Sequence, residues 1–588
     1  MPFQASAAFL TEEHIVARYR EKILPLVPTL VFLAFVFLCA FAPWTLSERD
    51  LSWREGYIVA QSMDLTFSPL PLVTVHDEAV PNAYPLFPLL AKAAAALGCP
   101  AESTTRVLSL IGALGLAIVV FAVSAGTRKN LSAGACGAAI VITSLLMIDK
   151  VPDGYAGTLF ALVIFSGHLL WYYFAAWRGD WSKAWLVGFI FCSIGFYLEG
   201  VISLIFFLLP LIFMRRPLGI FRRLRNRGVM LGIGCFAATV LLWYLPYHFE
   251  GVRLAPAIPR FDLLDTWEYL WHLLTFPVDF SLRMIPWALL AWAPFCVAFQ
   301  TLDDTPMFSR FLRTLFLADF FLLWVLPLDE ARGWIVLVPP LAVMTALNYE
   351  LAVRRYGSFY RKIGNLFAAV LLPGAGIVLL GFYLLPAEMI AEVMLLLERP
   401  LEFSDNFGNT VLGVVSGTVL LLLALHLFLL REKPPIWCCY SLIVLAPLLV
   451  YYNIVYPYQC QERPRMERGE LLRNALQQDG AENVQIIYKY NVYDFYSESV
   501  YMNKSMCRIN TLAMLPGEDV KTVYLLAPGF PEHAERNWRS LLAQPITIRD
   551  RKFNLWRGDW KGNAPKLERK PSPLLEELAR DPIGKAGL

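Results

Sequence analysis

The run Ile23-Leu-Pro-Leu-Val-Pro-Thr-Leu-Val-Phe-Leu-Ala-Phe-Val-Phe-Leu-Cys-Ala-Phe41, followed closely by Glu48-Arg49-Asp50-Leu-Ser-Trp-Arg54-Glu55-Gly56-Tyr57, decides the fold class. About 20 consecutive apolar residues cross the hydrocarbon core of a bilayer as a helix. The first stretch has that length and carries no charge, and the second is a burst of charge at its far end. Arg18, Arg20 and Lys22 precede the run, and no small-residue cleavage site follows it. It therefore reads as an uncleaved first span rather than a signal peptide.

Runs of the same kind recur, among them Val229–Leu245 and Val411–Leu430. Hydrophobic residues make up 57% of the chain and charged ones 17%, against about 45–50% and about 25% in soluble domains. Hydropathy gives about 13 spans, with cores near 23–43, 107–126, 132–148, 156–176, 184–198, 201–214, 229–247, 284–300, 314–328, 334–350, 364–386, 410–430 and 436–456.

Charge tests that order. With the N-terminus inside, the inside segments hold Arg128 and Lys129, Arg178 and Lys183, the cluster Arg215 to Arg227, Arg310 and Arg313, Arg354 to Lys362, and Arg431 and Lys433. The short outside loops hold only Lys150, Arg253, Arg260, Arg283, Arg332 and Arg399. That bias is the positive-inside pattern. It requires 184–214 to be two helices, and an odd number of spans puts the C-terminus outside, on the extracytoplasmic face of the plasma (inner) membrane.

The expected organisation is an all-α polytopic membrane domain over 1–456, an extracytoplasmic α/β domain over 457–565, and a disordered tail over 566–588. Within the first, 44–106 forms an outside loop with interfacial helices near 50–63 and 86–97. In the second, strand-like runs (Val484–Tyr490, Thr522–Ala527, Ile546–Phe553) alternate with helical ones (Arg468–Gln478, Pro531–Ala543).

Several classes are excluded. A net charge of +3 gives no electrostatic footprint for nucleic acid. The ten cysteines show no CxxC spacing, and most lie in apolar blocks as small buried hydrophobes. Cys460 and Cys507 fall in the polar tail, where a bridge between them is left open. No P-loop, HExxH or strand-borne GxGxxG occurs. Asp303-Asp304 lies on the inside, away from the acidic cluster, so it makes no metal clamp for a nucleotide sugar. His76-Asp77-Glu78 reads first as a solvated turn and second as donors for a divalent ion; no other cofactor is called for.

Charges at the outer ends of spans carry the chemistry, because charge near hydrocarbon is costly. A carboxylate at the mouth of a membrane cavity can take a proton from an attacking hydroxyl. The candidates are Glu48, Asp50 and Glu55 after the first span and Asp153 in Ile148-Asp149-Lys150-Val-Pro-Asp153-Gly-Tyr155. Asp153 also reads as a helix N-cap. Further stretches are Asn82-Ala83-Tyr84-Pro85-Leu-Phe-Pro88, Phe196-Tyr197-Leu198-Glu199-Gly200, and Leu328-Asp329-Glu330-Ala-Arg332-Gly333-Trp334 leading to Pro339-Pro340-Leu341-Ala342.

In this order, over roughly residues 20–350, the stretches resemble the GT-C glycosyltransferases of the phospholipid-carrier type, which include the protein O-mannosyltransferases and the lipid A aminoarabinose transferases. The resemblance implies a polyprenyl-phosphate sugar donor, a lipid, glycan or protein acceptor, and inversion at the anomeric carbon. It implies Glu55 as first candidate base and Asp153 as second, with Glu48 and Asp50 as further candidates. Arg54 stands where the family has Asp, and Ala83-Tyr84 where it has Glu-Lys. Arg54 or Lys92 then replaces the phosphate-binding Lys, and Arg332 offers a bidentate donor to the departing phosphate. Glu199 puts an anion where the family has a cation. Tyr57, Tyr84, Glu199 and Trp334 complete the expected substrate contacts.

Two other classes fit a polytopic chain. A transporter calls for internal repeats with broken helices; no repeat is found, and the charges cluster at span ends. A glycan ligase handling lipid-linked saccharides shares the outside face and needs a larger cationic cavity.

Overall fold

Without water to satisfy backbone N–H and C=O groups, an apolar segment in hydrocarbon closes its hydrogen bonds internally, as a helix. The computed structural model describes residues 26–561, apart from 46–48, 68–70, 76–77, 81–82, 215–218, 253–265, 327–332, 390–406, 430–433, 491–494 and single to triple positions at 387 and beyond 461. Eight of its helices are long and apolar enough to cross a membrane, and up to 10 if each bent pair is one span. The chain is a multi-pass membrane protein.

The difference from about 13 has local causes. The cores at 334–350 and 364–386 form one continuous helix, Val338–Leu384, with non-helical backbone at Tyr356. Its 47 residues would extend about 70 Å, more than twice a hydrocarbon core of about 30 Å. The kink at Tyr356 divides it into two helical segments with no loop between them. The core at 201–214 is the short apolar helix Ile202–Phe213. The core at 314–328 lies in Pro306–Val325, whose charges and Asp319 keep it from the apolar set. The expectation at 284–300 is corrected. That region is a break, with Trp267–Arg283 and Ala288–Phe295 bent by 112°. Pro286 and Pro294 remove backbone donors there.

Ala101–Arg128 spans the bundle and orients the rest. Arg106 near its start touches the acidic cluster, whereas Arg128 at its end pairs with Asp303 and Asp304. These two arginines are about 33 Å apart along the helix. Asp303-Asp304 thus lies at the opposite end of the bundle from the acidic cluster.

Between the first two spans the chain forms helices Trp53–Asp64 and Leu86–Ala96 with two short antiparallel ladders between them. The tail opens with helix Pro464–Gln478 and builds a mixed sheet in the order Ser505–Ile509, Ile486–Tyr490, Thr522–Ala527, Arg551–Trp560, Arg536–Ser540. The first three strands run parallel, and the last two are antiparallel additions. The helix expected over Pro531–Ala543 is instead strand Arg536–Ser540, with Trp538 opposite Gly558. Cross-strand pairing outweighs the local helix preference. Ile546–Ile548 and Arg551–Trp560 divide the single run expected over Ile546–Phe553. Cys460 and Cys507 are not bridged to each other.

Candidate active site

Ser52 ends the extended segment after the first span and caps helix Trp53–Asp64. Its hydroxyl accepts from the Glu55 N–H at 3.2 Å, and Glu55 Oε2 accepts from the Ser52 N–H at 2.8 Å. This reciprocal box follows from Ser-x-x-Glu. It turns the Glu55 side chain back into the bundle, where Arg106 Nε donates to Oε1 at 2.6 Å and Arg106 Nη2 to Oε2 at 3.3 Å. Arg49 Nη2 adds a third cationic donor at 3.0 Å. Glu55 and Arg106 are both fully buried. Burial opposes the charge of Glu55, but the hydrogen bond and charge of Arg106, helped by Arg49 and Ser52, prevail and hold the carboxyl below its ordinary range.

Arg49 continues the network. The same Nη2 donates to the Pro152 carbonyl at 2.8 Å, which ties the Glu55 cluster to the tight turn Val151–Asp153. Gly154 closes that turn with φ +71°, and a Cβ there would lie 2.8 Å from Thr105 Oγ1. Asp153 caps nothing: the following helix, Gly157–Tyr172, has no side-chain cap. Its carboxylate is 30% exposed and 3.6 Å from Lys150 Nζ. Lys150 also pairs with Asp149 at 3.1 Å, and Asp149 meets Arg283 Nη1 at 2.9 Å. The Arg283 guanidinium lies 5.5 Å over the ring of buried Trp334 and also pairs with Asp279. Burial pushes Asp153 up, Lys150 pulls it down, and Asp149 adds to the rise; the net direction is upward.

The other expected residues divide among neighbouring groups. Asp50 turns toward the tail and accepts from the N–H groups of Arg465 and Met466 at 2.9 and 3.2 Å and from the Tyr501 hydroxyl at 2.9 Å. Tyr57 stacks on Trp53 (5.9 Å, 6°) and meets Tyr496 at 4.8 Å. Arg54 is half-buried on the first turn of the same helix. Tyr84 stacks on Trp243 at 5.6 Å and rests against Gly200, where any Cβ would collide with its phenol. The Ala83 carbonyl beside it accepts from Trp243 Nε1 and Tyr247. Glu199 is exposed at the end of its helix, and burial together with its charge raises the Tyr84 phenol. Lys92 donates to the Leu65 carbonyl at 2.9 Å, closing helix Trp53–Asp64. Glu48, Arg332, His76 and Asp77 lie outside the described residues, and among the described residues no cluster of three metal-binding side chains occurs.

The residues that sequence reasoning missed are Arg49, Arg106, Asp149, Lys150 and Arg283. Arg106 had a signal, a lone charge inside an apolar helix, but the hydropathy core near 107–126 begins one residue after it. The Ser52-x-x-Glu55 box also had one. Arg283 had none, because its neighbour Asp149 is 134 residues away.

The arrangement provides a partly exposed carboxylate with two cations close by, at one end of an apolar bundle. No family model matches the sequence, and no curated protein does. Solved structures do match in fold. ArnT from Cupriavidus metallidurans bound to undecaprenyl phosphate superposes with a TM-score of 0.60 at 14% identity, over 90% of this chain and 97% of that one. Its apo form gives 0.59 at 15%, over 91% and 98%. The chain has the same fold as ArnT over most of its length.

Proposed function

We propose that this protein is a membrane glycosyltransferase that moves a sugar from a polyprenyl phosphate to a lipid, glycan or protein acceptor on the extracytoplasmic face. The fold shared with a protein that binds undecaprenyl phosphate supports the donor class. One observation carries the chemistry: Asp153, partly exposed, stands beside Lys150 and next to the Asp149–Arg283 pair at the mouth of the bundle.

In this reading Asp153 takes the first place as base that the motif order gave to Glu55. All the short contacts of Glu55 are to donors that favour its anion, and its proton affinity is lowered. Asp153 is more accessible, loosely paired and more basic. Its carboxylate accepts the proton of the acceptor hydroxyl or amine as that atom bonds to the anomeric carbon. The bond from that carbon to the phosphate oxygen breaks on the opposite face, and the lipid phosphate leaves. Lys150, Arg283, Arg54 and Arg332 are the cations that receive the added charge. Trp334 lies against Arg283, and Tyr57 and Tyr84 keep the substrate contacts that the motif order gave them. Glu55 acts through Arg49 and not on the substrate.

Transfer from a labelled polyprenyl-phosphate sugar in nanodiscs tests this. Asp153→Asn should lower kcat by about a hundredfold or more with a melting temperature no lower than that of the wild type. Full transfer by Asp153→Asn would remove the base, and no transfer by the wild type from any such donor would remove the function.

A further inference from the structure

The stretch from Arg49 to Glu55 is gripped from two sides. From the bundle, Arg106 holds the Glu55 carboxylate and reaches the carbonyls of Arg49 and Asp50 at 3.4 and 3.3 Å. From the tail, the first turn of Pro464–Gln478 presents two backbone N–H groups to the Asp50 carboxylate. Those donors have no partner within their own helix, so Asp50 caps that helix from 415 residues away in sequence. Tyr501 donates to Asp50 and accepts from the Leu51 N–H at 2.9 Å. Burial, with the Asp50 charge beside it, keeps this phenol protonated. Arg465 Nη1 donates to the Leu51 carbonyl, and Ser497 Oγ to those of Leu51 and Ser52. Gly56 lets the tail come this close, since a Cβ there would lie 2.7 Å from the Ser497 nitrogen.

We propose that the tail domain is a positioning element for the reacting carboxylate: seated through Asp50, it fixes the segment that keeps Arg49 on the Pro152 carbonyl and so sets the Val151–Asp153 turn. This rests on the reading of Asp153 as the base. Asp50 is a positioning residue whose charge serves the helix end. The coupling runs through Arg49, a neighbour of Asp50 in sequence, whose guanidinium bridges Glu55 and the turn. Asp153 is faced by Lys150 and Asp149 from its own segment, by Arg49 and Glu55 from the segment the tail holds, and, through Asp149, by Arg283.

Hydrogen exchange and kinetics on the full chain in nanodiscs test the proposal together. In Asp50→Ala, exchange should rise both in the peptide containing 465–466 and in that containing 151–154. The kcat should fall by about tenfold to a hundredfold, and the acid limb of its pH profile should move upward as Arg49 loosens. Asp50→Asn keeps one acceptor oxygen but sets an amide NH2 against the other backbone donor, so its activity and protection should fall between those of the wild type and Asp50→Ala. Gly56→Val, which pushes the tail away without touching a charge, should reproduce Asp50→Ala in milder form. Increased exchange at 465–466 with none at 151–154 would overturn the coupling. So would an Asp50→Asn variant as inactive as Asp50→Ala with wild-type exchange, since Asp50 would then act through its own charge. A wild type that transfers no sugar defeats the functional reading instead, and the exchange comparison still decides the coupling.

Discussion

One guanidinium, Arg49, ties the Glu55 carboxylate to the turn that carries Asp153 through the Pro152 carbonyl, yet the environments of the two carboxylates are opposite. Glu55 is sealed, with each oxygen accepting two hydrogen bonds. Asp153 is partly exposed and has a single long ion pair with Lys150. The carboxylate that the motif order favours as a base is the one that the fold uses as an anchor. The difference teaches that proximity to a membrane mouth does not select a base. On the proposed reading, spare lone pairs and an upward shift do.

The strongest way to break the comparison is to remove the anchor's partner. Arg106→Ala leaves Glu55 charged and buried without its main donor. It should cost about 3–5 kcal/mol, read as a large drop in melting temperature or as loss of folded protein. Arg106→Ala with Glu55→Leu should recover part of that loss, since an apolar pair needs no compensation. A melting temperature unmoved by Arg106→Ala would show that Glu55 is not held as described.

The two carboxylates should also bend the pH dependence of stability in opposite senses. Glu55 is lowered in the folded protein, so its contribution is complete above its unfolded value of about 4.3 and disappears as pH falls through the folded value. Asp153 is raised, so its effect has the reverse sign. Stability from this group is greatest when it is protonated and is lost as pH rises through its folded value. Melting curves from pH 4 to 8 should therefore show Asp153→Asn equal to or above the wild type at neutral pH. A lower melting temperature there would mean that the Asp153 charge is structural.

Much of the fold was legible because hydrocarbon imposes one solution on apolar runs. The lengths of 107–126, 156–176, 184–198 and 229–247 sufficed to place helices. The breaks were not legible. Tyr356 looks like any residue of a charged loop, yet the helix runs on through it with a kink, and Pro286 and Pro294 mark a break without giving its 112° angle. Strand Arg536–Ser540 reads locally as helix because its partner, Arg551–Trp560, supplies the reason for its extension. At the site, Asp153 and the Glu55 region were visible as charges at span ends. Their opposite environments were not, because Arg106, Arg49 and Arg465 reach the region from other segments.

A smaller change separates geometry from charge. Gly154→Ala alters no titratable group, but φ +71° and the nearby Thr105 hydroxyl both resist a Cβ. Strain of about 1–2 kcal/mol should displace the Val151–Asp153 turn and lower kcat while Glu55 and Arg106 stay in place. Wild-type kcat in Gly154→Ala would show that the turn tolerates movement and that Asp153 needs no exact placement.

The smallest effect tests the electrostatics of Asp153 alone. Lys150→Met removes a cation 3.6 Å from a carboxylate that is 30% exposed, so the loss in stability should be under about 1 kcal/mol. The kinetic consequence has a definite sign. Lys150 lowers the proton affinity of Asp153 against the upward push of burial and Asp149. Without it, Asp153 becomes harder to ionise. A base must be ionised to accept a proton, so the acid limb of the kcat profile should move to higher pH in Lys150→Met. If Lys150 also receives the departing phosphate, the plateau at high pH should fall as well. An acid limb that stays fixed in Lys150→Met but moves in Glu55→Gln would return the role of base to Glu55 and make the Asp153 turn the anchor.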